Sequence, residues 1–172
     1  MGIALNKPLL TFPMVKVTDL LFARAIVEVL SAAIVVIITI VIFAVLGIEF
    51  VPRDIVQASL AMLAMMFLGL GFGVINAMIA AANPFWITGY AILTIIFWFS
   101  SGIFFVPDAL PEFARYAISY LPYVQGVEWM RSAYYDNYGG NILDKTYMLS
   151  FAAITLFAGL AVERLIRGKV LS

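Results

Sequence analysis

The 172-residue chain contains no cysteine and no histidine. Without cysteine it can have no disulfide framework and no thiolate chemistry. Without histidine it lacks the usual general base and the commonest metal ligand. Charge is scarce as well: 12% of residues are charged, and ten basic residues cancel ten acidic ones. A zero balance gives no electrostatic footprint for nucleic acid. No acid pair, metal cluster or nucleophile arrangement appears in the pattern, so an enzymatic reading has little to stand on. Met1 to Pro8 lacks a charged stretch followed by an apolar one, so no signal peptide is expected. Membrane-proximal character begins there immediately, as if an earlier part were missing.

What is abundant is apolar surface. Hydrophobic residues make up 65% of the chain and the mean hydropathy is +1.07. Soluble domains carry about half apolar and about a quarter charged residues, so this chain departs in both directions at once. It reads as an all-α integral membrane protein with about four transmembrane helices. About 20 apolar residues cross the hydrocarbon core as a helix. The gap between Glu28 and Glu49 supplies Val29 to Ile48. Its β-branched content would suit a strand in water, but lipid forces the backbone to satisfy itself, which selects a helix. No Asp, Glu, Lys or Arg lies between Asp54 and Asp108, and Asn83-Pro84 divides that gap. Spans are therefore expected at about 55–82 and 85–106, and a last one at about 146–162 with Thr146 as a cap.

Four spans place both termini on one side. That side carries Lys7, Lys16, Arg24, Arg164, Arg167 and Lys169; the other carries Arg53, Arg115, Arg131 and Lys145. The excess predicts cytoplasmic termini. Between the last two spans, Asp108 to Glu112 reads as a helix start, followed by an apolar face at Leu110, Phe113, Ala114, Ala117, Ile118 and Leu121. Pro122 stops it, and a second short helix runs from about Tyr123 to Tyr135. Neither can span. Over 108–135 they form a re-entrant or interfacial hairpin, with Glu-x-x-Arg pairs at Glu112/Arg115 and Glu128/Arg131. These charges suit ligand contacts or plain helix pairing.

Gly69, Gly73, Ala77 and Ala81 recur every four residues, a stripe that permits close helix approach between subunits or within one chain. Gly69 to Gly73 superficially resembles a phosphate loop, but it lacks a lysine and sits inside an apolar span. Asn76 is a polar amide in that span, suited to helix–helix hydrogen bonding or to function. Trp98 and Phe105 of the third span and Trp129 and Tyr134 of the hairpin belong to an aromatic-rich outer region. Rings there could stack on sugars or form an interfacial belt.

Two sequence blocks resemble a known family. Leu9-Leu-Thr-Phe-Pro-Met-Val-Lys-Val-Thr-Asp-Leu-Leu-Phe-Ala-Arg24, continuing to Glu28, is similar to the cytoplasmic segment preceding the third span of type-2 ABC exporter permeases. More narrowly, it resembles the capsular and related polysaccharide exporters. Ser101 to Pro111 and Val127 to Tyr135 are similar to the periplasmic re-entrant region of the same family. The resemblance implies a six-span subunit that dimerises and pairs with two separate ATPase subunits, which bind ATP and Mg. This chain would bind no cofactor or metal itself. A lipid-linked polysaccharide would move through a channel between permeases of the bacterial inner membrane.

Carried onto this sequence, the resemblance makes Phe12 to Leu21 the coupling segment, with Phe12, Pro13, Lys16 and Asp19 facing the ATPase and Arg24 and Glu28 at the membrane junction. It places Glu128 and Arg131 near the exit; with them, Trp98, Phe105, Trp129 and Tyr134 are the candidates for a substrate path, on the chemistry of their rings. Two N-terminal spans of the family pattern are missing from this sequence, and Leu121-Pro122 stands where many relatives have Asn-Pro. Competing readings are a permease for a drug or teichoic-acid precursor, and a scaffold or accessory membrane protein.

Overall fold

The computed structural model describes residues 17–48, 50–136, 138 and 141–171, and side chains over 19–165 within that range. Phe12, Pro13 and Lys16 lie outside the described residues. The fold is helical: α1 (Val17–Val45), α2 (Ile55–Ala82), α3 (Trp86–Ser100), a 3-10 turn (Pro107–Ala109), α4 (Glu112–Ser119), α5 (Pro122–Tyr134) and α6 (Lys145–Leu171). Three helices are long and apolar enough to cross a membrane, and α3 is a shorter apolar helix of 15 residues. The protein is therefore a multi-pass membrane protein.

Each end has a local cause. α1 begins ahead of its apolar stretch and closes on Gly47, whose φ of +67° is favourable only without a Cβ. Ile48 N–H reaches Phe43 C=O at 3.0 Å and Gly47 N–H reaches Ala44 C=O at 3.3 Å, the paired bonds of a Schellman end. α2 is capped by Asp54, which accepts from Gln57 N–H at 2.9 Å. Pro84 then prevents continuation into α3. The expected cap of the last helix moves by two residues: Asp144, not Thr146, accepts from Tyr147 N–H, at 2.8 Å. Asp108 does not cap a helix start either; Pro111 holds that position for α4.

α3 ends earlier than its apolar composition suggests. A span was expected to reach about 106, but helix stops at Ser100 and Gly102 adopts φ +82°. Fifteen residues rise about 22 Å, less than the ~30 Å hydrocarbon core. The backbone released there is not left bare. Arg131 Nη2 donates to Gly102 C=O at 2.5 Å and to Ile103 C=O at 3.4 Å. This meets the rule that non-helical backbone at membrane depth must find partners in protein.

The packed centre is α2 against α6, with α5 laid across the ends at which both helices begin. A Cβ on Gly71 would stand 2.6 Å from Thr155 Oγ1 and 2.7 Å from Leu156 N, so only glycine admits α6 this closely. Across the same contact, a Cβ on Gly159 would stand 3.1 Å from Val74. Gly126 does the same for α5, where a Cβ would strike the Met65 side chain and come within 2.9 Å of Met148 Cε. Trp129, Met148, Ala61 and Ala64 form the buried cluster beneath it.

α1 is far less engaged. Leu20 is its buried residue among the described side chains, seated on Met78 with Leu21, Ala77, Ala81 and Val162 around them. No α3 side chain is buried. Its tie to α2 is Asn76, which donates to Phe72 C=O at 2.8 Å and accepts from Trp86 Nε1 at 2.9 Å.

Candidate functional site: a polar cap and a cleft

At the end of the bundle where α2 and α6 begin, Gln125, Glu128, Trp129 and Arg131 of α5 bond to other elements. Glu128 is 1% exposed, so its charge must be neutralised within the fold. Arg131 Nη1 donates to Glu128 Oε1 at 2.8 Å, and Tyr138 O–H donates to the carboxylate at 2.9–3.0 Å. Burial, then the bond to Glu128, pushes the Tyr138 phenol up to about 12. Because Arg131 also holds Gly102 and Ile103, this network joins α5, the end of α3 and the loop after α5.

A second cluster sits on the first turn of α2. Gln57 Oε1 accepts from Trp129 Nε1 at 2.9 Å and from Lys145 Nζ at 2.8 Å, while Lys145 lies 5.2 Å from the Trp129 ring centroid. Asp54 N–H donates to Ala133 C=O at 3.1 Å, and Arg53 pairs with Asp136. A third centre is Gln125, which is buried. Its amide donates to Ser119 C=O at 2.7 Å and Ile142 C=O at 2.9 Å and accepts from Asp144 N–H at 2.7 Å. All three bonds are made, so this amide fixes the hairpin turn to the start of α6. Together these contacts make the hairpin a rigid cap on the spans.

Away from that cap, a cleft of about 730 Å³ lies between α1, α2 and α3. Gly69, Gly73 and Ala77 form part of its lining, Asn76 and Trp86 stand on the wall, and Arg24 and Glu28 lie along α1. A Cβ at Gly69 or Gly73 would meet nothing within 4 Å. Arg24 and Glu28 pair at 2.6 Å with their side chains 58% and 60% exposed.

The residues singled out in the sequence separate cleanly in space. Asp19 sits in the first turn of α1. Of the small-residue stripe, Gly69, Gly73 and Ala77 line the cleft, and Ala77 and Ala81 also pack at Leu20 and Met78. The glycine in close contact with α6 is the intervening Gly71, whose place in the Gly-Leu-Gly-Phe-Gly run gives no hint of direction. Trp98 is 58% exposed and stands edge-on to Phe104, with ring centroids 5.4 Å apart. Phe105 and Tyr134 are half-buried. Trp129 and Glu128 are instead enclosed by the chain itself. Arg115 turns to Asp108, at 4.0 Å, where a pair with Glu112 was expected. Gln57 and Gln125 were not singled out, Lys145 was read only for its charge, and Tyr138 only as one of the hairpin aromatics. Their only sequence signal is a polar residue beside an apolar run.

The all-helical architecture with its long apolar helices is that of a membrane protein, and homology names the family. The family model for ABC-2 type transporters matches residues 5–135. The chain belongs to the ABC-2 type transporter family. Among curated relatives of this ABC-2 chain, the capsule polysaccharide export inner-membrane protein CtrC of Neisseria meningitidis serogroup A is 29% identical over 165 residues, which cover 94% of this chain and 61% of that protein. The capsule polysaccharide export inner-membrane protein BexB of Haemophilus influenzae is 30% identical over 138 residues, which cover 79% of this chain and 51% of that protein. The chain thus spans between half and three fifths of the length of these curated relatives.

Proposed function

We propose that this chain is a membrane permease component of an ATP-driven exporter that moves a lipid-linked polysaccharide across the bacterial inner membrane. The observation that carries this reading is similarity, along 94% of the chain, to a protein named for capsule polysaccharide export. Both termini face the cytoplasm, the hairpin faces outward, and the permease acts as a homodimer. ATP and Mg are bound by separate ATP-binding cassette subunits. The chain itself supplies path and coupling surface and no covalent catalysis.

Within this reading, Phe12, Pro13, Lys16 and Asp19 contact the ATPase, and Arg24 and Glu28 carry that contact into α1. Leu20 on Met78 gives α1 its buried seat on α2, close to that segment. At the outer end the exposed ring of Trp98, with Phe105 and Tyr134, can touch a passing glycan. Trp129, Glu128 and Arg131 act indirectly, by fixing the shape of the exit.

The test is export in cells that carry the intact operon. Lys16→Glu or Asp19→Lys should abolish surface polysaccharide and permease-stimulated ATP hydrolysis while the protein remains in the membrane at normal abundance. Trp98→Ala should lower export without lowering basal ATP hydrolysis. Unchanged surface polysaccharide in cells lacking the chain would sink the proposal outright.

A further inference from the structure

The cleft between α1, α2 and α3 is apolar over most of its lining. Leu21, Ala25 and Val29 recur every four residues of α1 and are half-buried along it. On α2 the glycines leave room, because a Cβ at Gly69 or Gly73 would meet nothing within 4 Å. Arg24 and Glu28, one helical turn apart on α1, carry the charges of the lining. Its remaining polar groups differ in availability. Asn76 is committed to Phe72 C=O at 2.8 Å and to Trp86 Nε1 at 2.9 Å. Tyr90, half-buried on α3, brings a phenolic hydroxyl that can donate to an ester or phosphate oxygen.

The level of the charges follows from the sequence. The charge-free run of α1 starts at Val29, directly after Glu28, so the pair stands where headgroups give way to hydrocarbon. From Arg24 to Ala32 the helix rises about 12 Å, most of the ~15 Å acyl depth of one leaflet. Charge at one level and an apolar slot of acyl length beyond it is the layout of a phospholipid. The volume of about 730 Å³ is that of a small-molecule site.

The charge pattern selects the headgroup. Arg24 Nη2 meets Glu28 Oε1 at 2.6 Å, yet the two side chains remain 58% and 60% exposed. A guanidinium has five N–H donors and a carboxylate has two acceptor oxygens, so one contact leaves bonding capacity on both. Beside hydrocarbon that capacity needs polar partners. An anionic lipid would serve Arg24 but set a like charge against Glu28. A zwitterion brings each residue its opposite charge. We infer that the cleft binds phosphatidylethanolamine, with the phosphate on Arg24, the ammonium on Glu28 and one acyl chain over Gly69 and Gly73. This assignment does not depend on what the protein exports.

The test is native mass spectrometry of the full chain released from vesicles with equal amounts of phosphatidylethanolamine and phosphatidylglycerol bearing the same acyl chains. One lipid per chain should be retained, with phosphatidylethanolamine favoured about ten-fold, the scale of one hydrogen bond to a charged group. Glu28→Gln should erase that preference. Gly69→Leu and Gly73→Leu fill the slot and should each lower retention about ten-fold, with helical content by circular dichroism unchanged. Equal retention of the two lipids by the parent chain would overturn the assignment. So would full retention in both leucine variants. A lipid-free dimer would also overturn it, since a second copy would then fill the cleft.

Discussion

Two ion pairs a helical turn apart have opposite surroundings. Arg24 and Glu28 lie on α1 with more than half of each side chain exposed, while Glu128 and Arg131 lie on α5 with the carboxylate sealed off. The same contrast holds for glycines two positions apart in α2. Gly71 is pressed against the α6 backbone, and Gly73 faces open space in the cleft. The α2–α5–α6 region is a close-packed body stapled by polar bonds. The α1–α3 region is joined to it at fewer points: Leu20 on Met78, Trp86 to Asn76, Phe97 against Tyr123, and Arg131 to the backbone just after α3. In lipid there is no hydrophobic drive between helices, so close backbone approach and satisfied polar groups decide which helices hold together.

The largest expected break of this contrast is at the buried pair. Glu128→Leu leaves Arg131 and Tyr138 without their acceptor and should cost about 3–5 kcal/mol, whereas Arg24→Leu should cost about 0–1 kcal/mol. Unfolding of both variants in mixed detergent micelles, monitored by circular dichroism, measures the difference. Equal losses would abolish the distinction between the two regions.

The glycine pair sharpens it. Gly71→Leu should destabilise by about 1–3 kcal/mol through overpacking against Thr155 and Leu156, while Gly73→Leu should leave the unfolding midpoint nearly unchanged. A Gly73→Leu effect as large as that of Gly71→Leu would mean that the cleft is closed in the working protein. Next in size is the cap of α2. Asp54→Ala should cost about 1 kcal/mol. Hydrogen exchange should rise over the first turn of α2 and leave α1 unaffected.

The smallest effect is in pH. The Tyr138 phenol is raised from its ordinary value near 10 to about 12, so the fold favours its neutral form. Its stabilising contribution is complete below about pH 10 and is lost as pH rises toward about 12. Tyr138→Phe should remove that component of alkaline destabilisation, read as a flatter stability profile between those two values. An unchanged profile would detach Tyr138 from the Glu128 network.

Much of this architecture is legible in the residues themselves. Long charge-free runs force helices because a lipid-exposed backbone has no other way to satisfy its polar groups. Asn83-Pro84 separates α2 from α3 for a purely local reason: proline lacks the N–H and excludes the preceding residue from helix. Pro122 likewise opens α5, and its two short helices are too brief to span. These features, and the family they resemble, depend on composition, spacing and local stereochemistry.

Only the tertiary structure decided which polar and small residues serve which partner. Nothing in the spacing of Gly69, Gly71 and Gly73 says that the middle one meets α6. Nothing marks Gln57, Gln125 or Tyr138 as the acceptors and donors that lock the hairpin, because their partners lie 6 to 88 residues away in sequence. The carbonyl freed beyond the end of α3 finds its donor in Arg131, 29 residues beyond Gly102. The sequence by itself determined that the chain enters the membrane as helices, since the bilayer leaves no alternative. Which helices lock together, and which face stays open, depended on contacts that exist only once distant segments meet.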